Sequence, residues 1–558
     1  MIPDMKPVEQ DPCAGTPDWR RRSVYCRHNE KCNQKFIYNE LGICIIHSAR
    51  LDLERTFMAT AIGYQWLIEN LDLDVPPPVQ ISLIGEPDKS DPYPKEKIKI
   101  FRKAYRVSDD PLSHLAFALK HEPVDLGILE RTLRKTNKKI LEERLKDHLG
   151  VYERKIGFYY EFLTGQDLAV PRMTMGNYID LLDPDEYFTT LADKNQKWRV
   201  NNNLLGTPAF CPVVRKTPVL KEFVDKHLDE RVRQLMSAYP ASVILRANQY
   251  IYLKETKSSF LIEREEPKGD RIRRFVQLLH RRNAFSGMKK EDFIRIQNMI
   301  VDPRFASKGY RSDQNYVGER LGNDMEIVHY IPPSPSSVPS LMEGLIETMA
   351  RIRQKVHPVI QAACISFGFV FIHPFDDGNG RIHRFLVHDI LAREHFTPDD
   401  VIFPVSAHIL NNMADYDKCL ESFSRKIMER SQYDIDSDGI LTQRSDTDFL
   451  YRYFDATVMA EYLFHVMEET IEMDIPAELD FLLRYEKTKK EMQMIVDMPD
   501  KKIDLFIQAC RQNGGVLSAP KRKKFFSMLS DEEVEHLEKS VNRFLPAEEP
   551  KTGLFPGM

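Results

Sequence analysis

The sequence has little cysteine, no long apolar run and no strong excess of either charge. Eight cysteines are scattered over 558 residues, which is too few for a disulfide framework. No stretch approaches the roughly 20 apolar residues of a membrane-spanning helix, and the N-terminus lacks the apolar centre of a signal peptide. A net charge of −5 creates no general attraction to nucleic acid or anionic membrane. We therefore expect a cytoplasmic protein that does not bind membranes.

The N-terminal region combines cysteine and histidine, the residue types that bind structural zinc. These residues are Cys13, Cys26, His28, Cys32, Cys44 and His47. Their spacing lacks the Cys-x-x-Cys pair of a zinc knuckle. Free thiols in a reducing compartment are the prediction, and a zinc site is the alternative.

One segment concentrates reactive side chains. Phe371–Arg384 has the sequence FIHPFDDGNGRIHR, with one titratable histidine before two adjacent carboxylates, a Gly-Asn-Gly turn and two arginines. The apolar stretch before it and the helical spacing of apolar residues after it predict a helix, a tight loop and a second helix. Packing alone does not require such a density of polar groups, so the segment is predicted to be an active-site loop.

The loop has the residue types of a polyphosphate site. Gly378 and Gly380 are predicted to take positive φ angles that turn the backbone N–H groups around Asn379 inward. The second helix points its positive dipole end at the same place. Arg381 and Arg384, on the first turns of that helix, are suited to bind phosphate oxygens.

Two further side chains complete this chemistry. Asp377 is the predicted ligand of Mg²⁺, the hard cation that accompanies a polyphosphate, because Mg²⁺ prefers one or two carboxylates together with phosphate oxygens. His373 is the predicted general base, because the pKa of histidine lies near working pH.

The segment resembles the signature of the Fic family, His-x-Phe-x-(Asp/Glu)-Gly-Asn-Gly-Arg-x-x-Arg, and matches every fixed position. The resemblance implies a protein adenylyltransferase that uses ATP and Mg²⁺ to transfer AMP to a Ser, Thr or Tyr hydroxyl. It also implies an unidentified target protein, with self-modification as one outcome. A relative that transfers phosphate has Lys at the position of Gly380, so Gly380 favours AMP transfer. UTP as the nucleotide, with UMP transfer, stays open.

A second element resembles the inhibitory motif (Ser/Thr)-x-x-x-Glu-(Gly/Asn) that some family members, expected here to be of the bacterial kind, carry N-terminal to the catalytic core. Lys257–Arg264 has the sequence KSSFLIER, in which Ser259 and Glu263 match. The resemblance implies that Glu263 enters the nucleotide site and pairs with Arg384. Arg264 departs from the expected Gly or Asn, which predicts weaker restraint.

Two regions are assigned mainly by this resemblance. Residues 310–333 are predicted to form a hairpin flap that pairs with the target segment, as exposed strand edges bind extended peptides. Tyr416 falls where relatives have a tyrosine that contacts the adenine ring. An interfacial tyrosine on a helix is equally expected for packing.

The predicted fold is mainly α-helical. A Fic core at 216–430 carries the inhibitory helix (241–264), the flap (310–333) and the catalytic loop (373–384). It lies between an N-terminal helical domain of unknown role (1–215) and a C-terminal helical domain (431–558), whose last helix opens with a Ser530–Glu533 capping box.

Two alternatives concern the C-terminal part. The basic run Lys521–Lys524 leaves open a winged-helix-like module, so a DNA-binding regulator is the alternative function, although one short basic run is a small electrostatic footprint. Asp434–Gly439 resembles the start of a calcium-binding loop, but Ser445 stands at the twelfth position in place of the Glu ligand. We therefore do not expect calcium there.

Overall fold

The computed structural model describes residues 59–85, 97–147, 149–267, 269–282, 287–321, 325–398, 401–436 and 439–546. The cysteines and histidines of the zinc alternative lie outside these ranges. Within them, every helix is too short or too polar to cross a membrane.

Helices make up most of the described chain, which confirms the predicted fold class. They are α1 (Tyr64–Asn70), α2 (Pro111–His121), α3 (Leu126–Lys135), α4 (Lys138–Asp147), α5 (Val151–Thr164), α6 (Pro218–Asp225), α7 (Leu228–Ser237), α8 (Ala241–Ile262), α9 (Gly269–His280), α10 (Lys290–Ile300), α11 (Val338–Ile352), α12 (Pro358–Ala362), α13 (Gly368–Ile372), α14 (Asn379–Arg393), α15 (Val405–Asn411), α16 (Met413–Met428), α17 (Asp448–Arg452), α18 (Thr457–Glu469), α19 (Ile475–Ile495), α20 (Asp500–Arg511), α21 (Ala519–Phe525) and α22 (Asp531–Phe544). Two π-helical turns, Ala363–Phe367 and Thr470–Asp474, join α12 to α13 and α18 to α19.

The strands are short and form four small sheets. They are β1 (Thr60–Ile62), β2 (Ile81–Ile84), β3 (Ile98–Phe101), β4 (Ile179–Asp180), β5 (Asp193–Asn195), β6 (Val200–Asn202), β7 (Val317–Leu321), β8 (Met325–Tyr330), β9 (Tyr433–Ile435) and β10 (Leu441–Gln443). The sheet orders are β1-β2-β3, β4-β6-β5, β7-β8 and β9-β10. β7 and β8 pair antiparallel, within the range predicted for the flap.

The N-terminal part differs from the predicted helical domain, because two of the sheets lie there. Ile81–Ile84 and Ile98–Phe101 pair in parallel, and the β-branched isoleucines of both segments favour strands. Strands of three or four residues are too short to produce a clear periodic pattern in the sequence. The N-terminal part is therefore a mixture of helices and strands.

The structure also bears on the winged-helix alternative for the C-terminal part. A winged helix needs strands for its wing, yet the described residues after β10 form helices and no strands. Arg522 of the basic run is ion-paired with Asp531. In the acidic segment, Asp434 lies in β9, and Asp436 accepts a hydrogen bond from the Ile440 backbone N–H at 2.9 Å.

Two hydrophobic cores hold the helices together. The larger contains buried residues from Tyr64 to Leu479 and includes the helices around the predicted catalytic loop. The smaller contains residues from Met492 to Leu545 and joins the C-terminal helices. In the last of these, Ser530 and Glu533 form the predicted capping box.

Candidate active site

The predicted catalytic loop lies between α13 and α14. His373 ends α13 with a φ of 51°, and Gly378 precedes α14 with a φ of 91°. The buried Asn379 side chain accepts a hydrogen bond from the Phe375 backbone N–H at 3.1 Å and donates one to the Phe375 carbonyl at 2.7 Å. This closed loop presents the N-terminus of α14, whose first N–H groups have no helical partner.

Gly380 has a different role from the one predicted. It lies in the first turn of α14, and its φ is not among the positive values. A Cβ atom at this position would come within 2.5 Å of Glu263 Oε1 and 3.2 Å of Arg384 Nη1. Gly380 therefore leaves room for the Glu263 carboxylate beside Arg384, and of the two glycines only Gly378 has a positive φ.

His373 is held as a neutral imidazole. Its Nδ1 lies 3.1 Å from the Val370 carbonyl oxygen. Because a carbonyl only accepts, Nδ1 carries the proton and Nε2 keeps a lone pair. Burial lowers the pKa of His373 to about 4, against the ordinary value of 6.5. The side chain can therefore accept a proton at neutral pH.

Arg384 is bound by the end of α8, as the sequence predicts. Its Nε donates to Ser259 Oγ at 2.8 Å, and its Nη2 donates to the Ser259 carbonyl at 2.6 Å and to Glu263 Oε1 at 2.8 Å. The Arg384 side chain is only 2% exposed. The contact that the motif implied is thus present in the structure.

Arg381 is also bound, which the sequence analysis did not foresee. Glu263 Oε2 lies 2.7 Å from Arg381 Nε, and the Arg381 side chain is fully buried. Arg381 Nη2 forms a second ion pair with Asp377, and Glu265 Oε1 lies 3.3 Å away. Glu263 therefore bridges both arginines of the motif.

The backbone conformation at Arg264 explains why Gly or Asn suits this position. Its φ is 58°, in the left-handed region. The Arg264 backbone N–H bonds to the Leu261 carbonyl at 2.9 Å, and that of Glu265 bonds to the Phe260 carbonyl at 3.1 Å, which is the Schellman arrangement at a helix end. The Arg264 side chain is 87% exposed and lies 3.6 Å from Glu319 of β7. Its partner here is a residue of the flap.

The residues around Asp377 have the right chemistry for a hard cation. Oxygen atoms of Asp377, Glu263 and Glu265 lie within 4.8 Å of one another. Carboxylate oxygens are the ligands that Mg²⁺ prefers. Asp377 therefore fits the predicted metal once Arg381 gives up its pairing with it, whereas Glu263 and Glu265 are held by Arg381.

Tyr416 lies behind the arginines. Its side chain is 4% exposed, and its ring stacks on His383 with centroids 6.2 Å apart. Burial raises the pKa of Tyr416 to about 12, while its hydrogen bond with Arg384 acts in the opposite direction. In this arrangement Tyr416 supports Arg384, and its contact with an adenine ring stays a prediction.

Two supporting residues escaped sequence analysis. The buried Arg311 donates from Nε to the His373 carbonyl at 2.9 Å and from its backbone N–H to the Pro374 carbonyl at 2.9 Å. Gln297 of α10 donates to the Asp377 carbonyl at 3.3 Å. Both hold the loop backbone, and neither belongs to a local pattern that would have identified it.

Comparison with known proteins gives the same assignment for this part of the chain. The profile of the Fic/DOC family matches residues 287–391. A protein of Drosophila mojavensis named protein adenylyltransferase Fic is 36% identical over 252 residues, which cover 41% of this chain and 49% of that protein. A protein of the same name from Culex quinquefasciatus is 33% identical over 122 residues, which cover 20% of this chain and 22% of that protein.

The chain thus spans half or less of these relatives. A solved Fic family protein from Desulfovibrio desulfuricans G20 is 17% identical and covers 56% of this chain and 85% of that one, with a TM-score of 0.34. Ser259, Glu263 and Tyr416 lie outside the matched residues, whereas the loop and the hairpin lie inside. Residues 287–391 of this chain are thus similar to the Fic/DOC family.

Proposed function

We propose that this protein is an adenylyltransferase that transfers AMP from ATP to a Ser, Thr or Tyr hydroxyl of a target protein. The observation that supports it most is the juxtaposition of a neutral, proton-accepting His373 with two buried arginines at the N-terminus of α14. Proteins named adenylyltransferase are among its relatives. Its proposed partners are ATP and a target protein, and self-modification is a further proposed outcome.

In the proposed reaction His373 acts as general base. The lone pair on Nε2 accepts the proton of the target hydroxyl while the hydroxyl oxygen attacks the α-phosphorus of ATP. The bond from that phosphorus to the bridging oxygen breaks, and pyrophosphate leaves. The Nδ1 hydrogen bond to Val370 fixes the tautomer and the ring orientation that this transfer needs.

The negative charge of the nucleotide is met by preorganised donors. Backbone N–H groups at Asn379 and Gly380 face the phosphates, and Arg381 and Arg384 supply positive charge. Mg²⁺, when bound with the nucleotide, would be held by Asp377 and would offset the charge of the α- and β-phosphates.

In this proposal Glu263 restrains the enzyme. Glu263 occupies both arginines, so they are not available to phosphate. A nucleotide that entered without Arg384 would place its α-phosphate out of line with the hydroxyl, and such misplacement is costly in rate. Release of Glu263 is therefore the proposed activating step.

The test uses the Glu263→Gly variant and ATP labelled either at the α- or at the γ-phosphate. AMP transfer predicts that only the α-label enters protein and that His373→Ala abolishes it. Entry of the γ-label would indicate phosphate transfer instead. Labelled UTP in parallel decides between AMP and UMP. No protein labelling by either nucleotide, in a folded variant, would overturn the proposal.

A further inference from the structure

A second carboxylate beyond the inhibitory motif reaches the catalytic arginines. Glu265 Oε1 lies 3.3 Å from Arg381 Nη2, and Glu265 Oε2 lies 3.4 Å from Arg381 Nη1. The Arg381 side chain is fully buried, while that of Glu265 is 33% exposed. Glu265 is thus placed at the mouth of the proposed phosphate site.

The end of α8 explains this placement. Because Arg264 takes a left-handed conformation, the chain reverses between Glu263 and Glu265. The two carboxylates then face Arg381, while the side chain of Arg264 points to solvent and is 87% exposed. The hydrogen bond from the Glu265 backbone N–H to the Phe260 carbonyl fixes this geometry.

Glu265 is also held from the other side. Arg271 of α9 donates from Nη2 to Glu265 Oε2 at 2.7 Å. The guanidinium groups of Arg271 and Arg381 lie 4.8 and 5.0 Å from the ring centroid of the buried Phe260. Two cations, one carboxylate and one aromatic ring therefore form a connected cluster, which holds Glu265 in place.

The carboxylates of the site oppose the binding of phosphate to the arginines. Three carboxylates, those of Glu263, Glu265 and Asp377, lie around the two arginines that would bind phosphate. Each carboxylate that faces Arg381 competes with a phosphate oxygen for the same guanidinium and repels the nucleotide. Removal of Glu263 alone leaves Glu265, just after the end of α8, as a competitor for Arg381.

We propose that Glu265 is a second restraining residue, which competes with the phosphates of the nucleotide for Arg381. The inference rests on the proposed nucleotide-binding function. It predicts that Glu263→Gly releases only part of the restraint. Neutralising Glu265 in that background should lower the KM for ATP and the Kd of Mg-ATP by about threefold to fivefold, the size expected for one partly exposed ion pair.

The experiment compares three proteins. One is the single variant Glu263→Gly, and the other two add either Glu265→Gln or Glu266→Gln to it. Glu266 is the matched control, because it is the adjacent carboxylate and is exposed. Mg-ATP binding is measured by calorimetry, and KM and kcat are measured from label transfer. Thermal melting checks that each protein is folded, and Glu265→Ala serves as a second neutral variant.

Glu265→Gln should tighten Mg-ATP binding, and Glu266→Gln should not. Equal behaviour of the two would overturn the inference, and so would weaker binding in Glu265→Gln, which would mean that Glu265 orients Arg381 for phosphate. The calorimetric measurement needs no transfer. Tighter binding without any protein labelling would therefore support the role of Glu265 and refute the proposed transferase, whereas labelling with unchanged binding would do the reverse.

Discussion

Replacing Glu263 by glycine removes the carboxylate that occupies both arginines of the loop. Glu263 lies 2.7 Å from Arg381 Nε and 2.8 Å from Arg384 Nη2. Arg384 would keep its two hydrogen bonds to Ser259, so its side chain should stay near its present position. The change therefore frees the cation without dismantling its support.

The expected size of the effect follows from these contacts. A hydrogen bond to a charged group contributes about 1.5–3 kcal/mol. The Glu263 side chain is 25% exposed, which places its contribution toward the lower part of that range. The variant lacks about 2 kcal/mol of interaction between Glu263 and the arginines, which the nucleotide must otherwise overcome. The rate of AMP transfer should therefore rise about 30-fold.

The assay measures incorporation of α-labelled ATP into protein at a fixed, subsaturating nucleotide concentration. Glu263→Gln is the isosteric companion, because it removes the charge and keeps the shape. Glu266→Gln is the surface control, and His373→Ala sets the background. An unchanged or lower rate in folded Glu263→Gly would refute the reasoning, and Glu263 would then be an ordinary structural partner of the two arginines.

Three further changes test other parts of the site. Arg264→Gly removes the conformational cost of a non-glycine residue with a φ of 58°, so the denaturation midpoint should rise by the equivalent of about 0.5–1 kcal/mol. An unchanged or lower midpoint would contradict this. Because burial lowers the pKa of His373 to about 4 and the neutral form is the base, the transfer rate of Glu263→Gly should stay constant from about pH 7.5 to 5.5 and fall toward pH 4. A half-loss near the ordinary value of 6.5 would show that burial does not lower the pKa of His373 in the active enzyme. Asn379→Ala loses hydrogen bonds of 3.1 and 2.7 Å to Phe375 and should reduce transfer more than about tenfold; transfer at the parental rate would show that the loop needs no such closure.

The parts of the site that depend on local pattern were predicted from sequence. The helix, loop and helix around His373 follow from apolar periodicity and from the turn at Gly378. The spacing of four residues between Ser259 and Glu263 placed both side chains on one face of a helix. Such signals depend on neighbours in the chain, so one sequence is enough to detect them.

The supporting residues depend on contacts between distant segments. Arg311 is 62 residues from the carbonyl of His373 that it binds, and Glu265 is 116 residues from Arg381. Nothing in the local sequence distinguishes these residues from other arginines and glutamates of the chain. The role of Glu265 follows from the packing of α8, α9 and α14, and that of Arg311 from the packing of the segment before β7 against the catalytic loop. Periodicity specifies neither.

The residue type at position 264 and its backbone conformation lead to different expectations for the end of α8. Compared by residue type, a large cation in place of Gly or Asn predicts altered docking of α8. The structure shows that the position selects a left-handed backbone conformation, which Gly and Asn adopt at low cost. Arg264 adopts it as well, and its side chain extends outward to Glu319. The contacts of Glu263 with the arginines are therefore retained, and we expect Arg264 to weaken the proposed restraint only through the conformational cost of the helix end, about 1 kcal/mol or fivefold in rate.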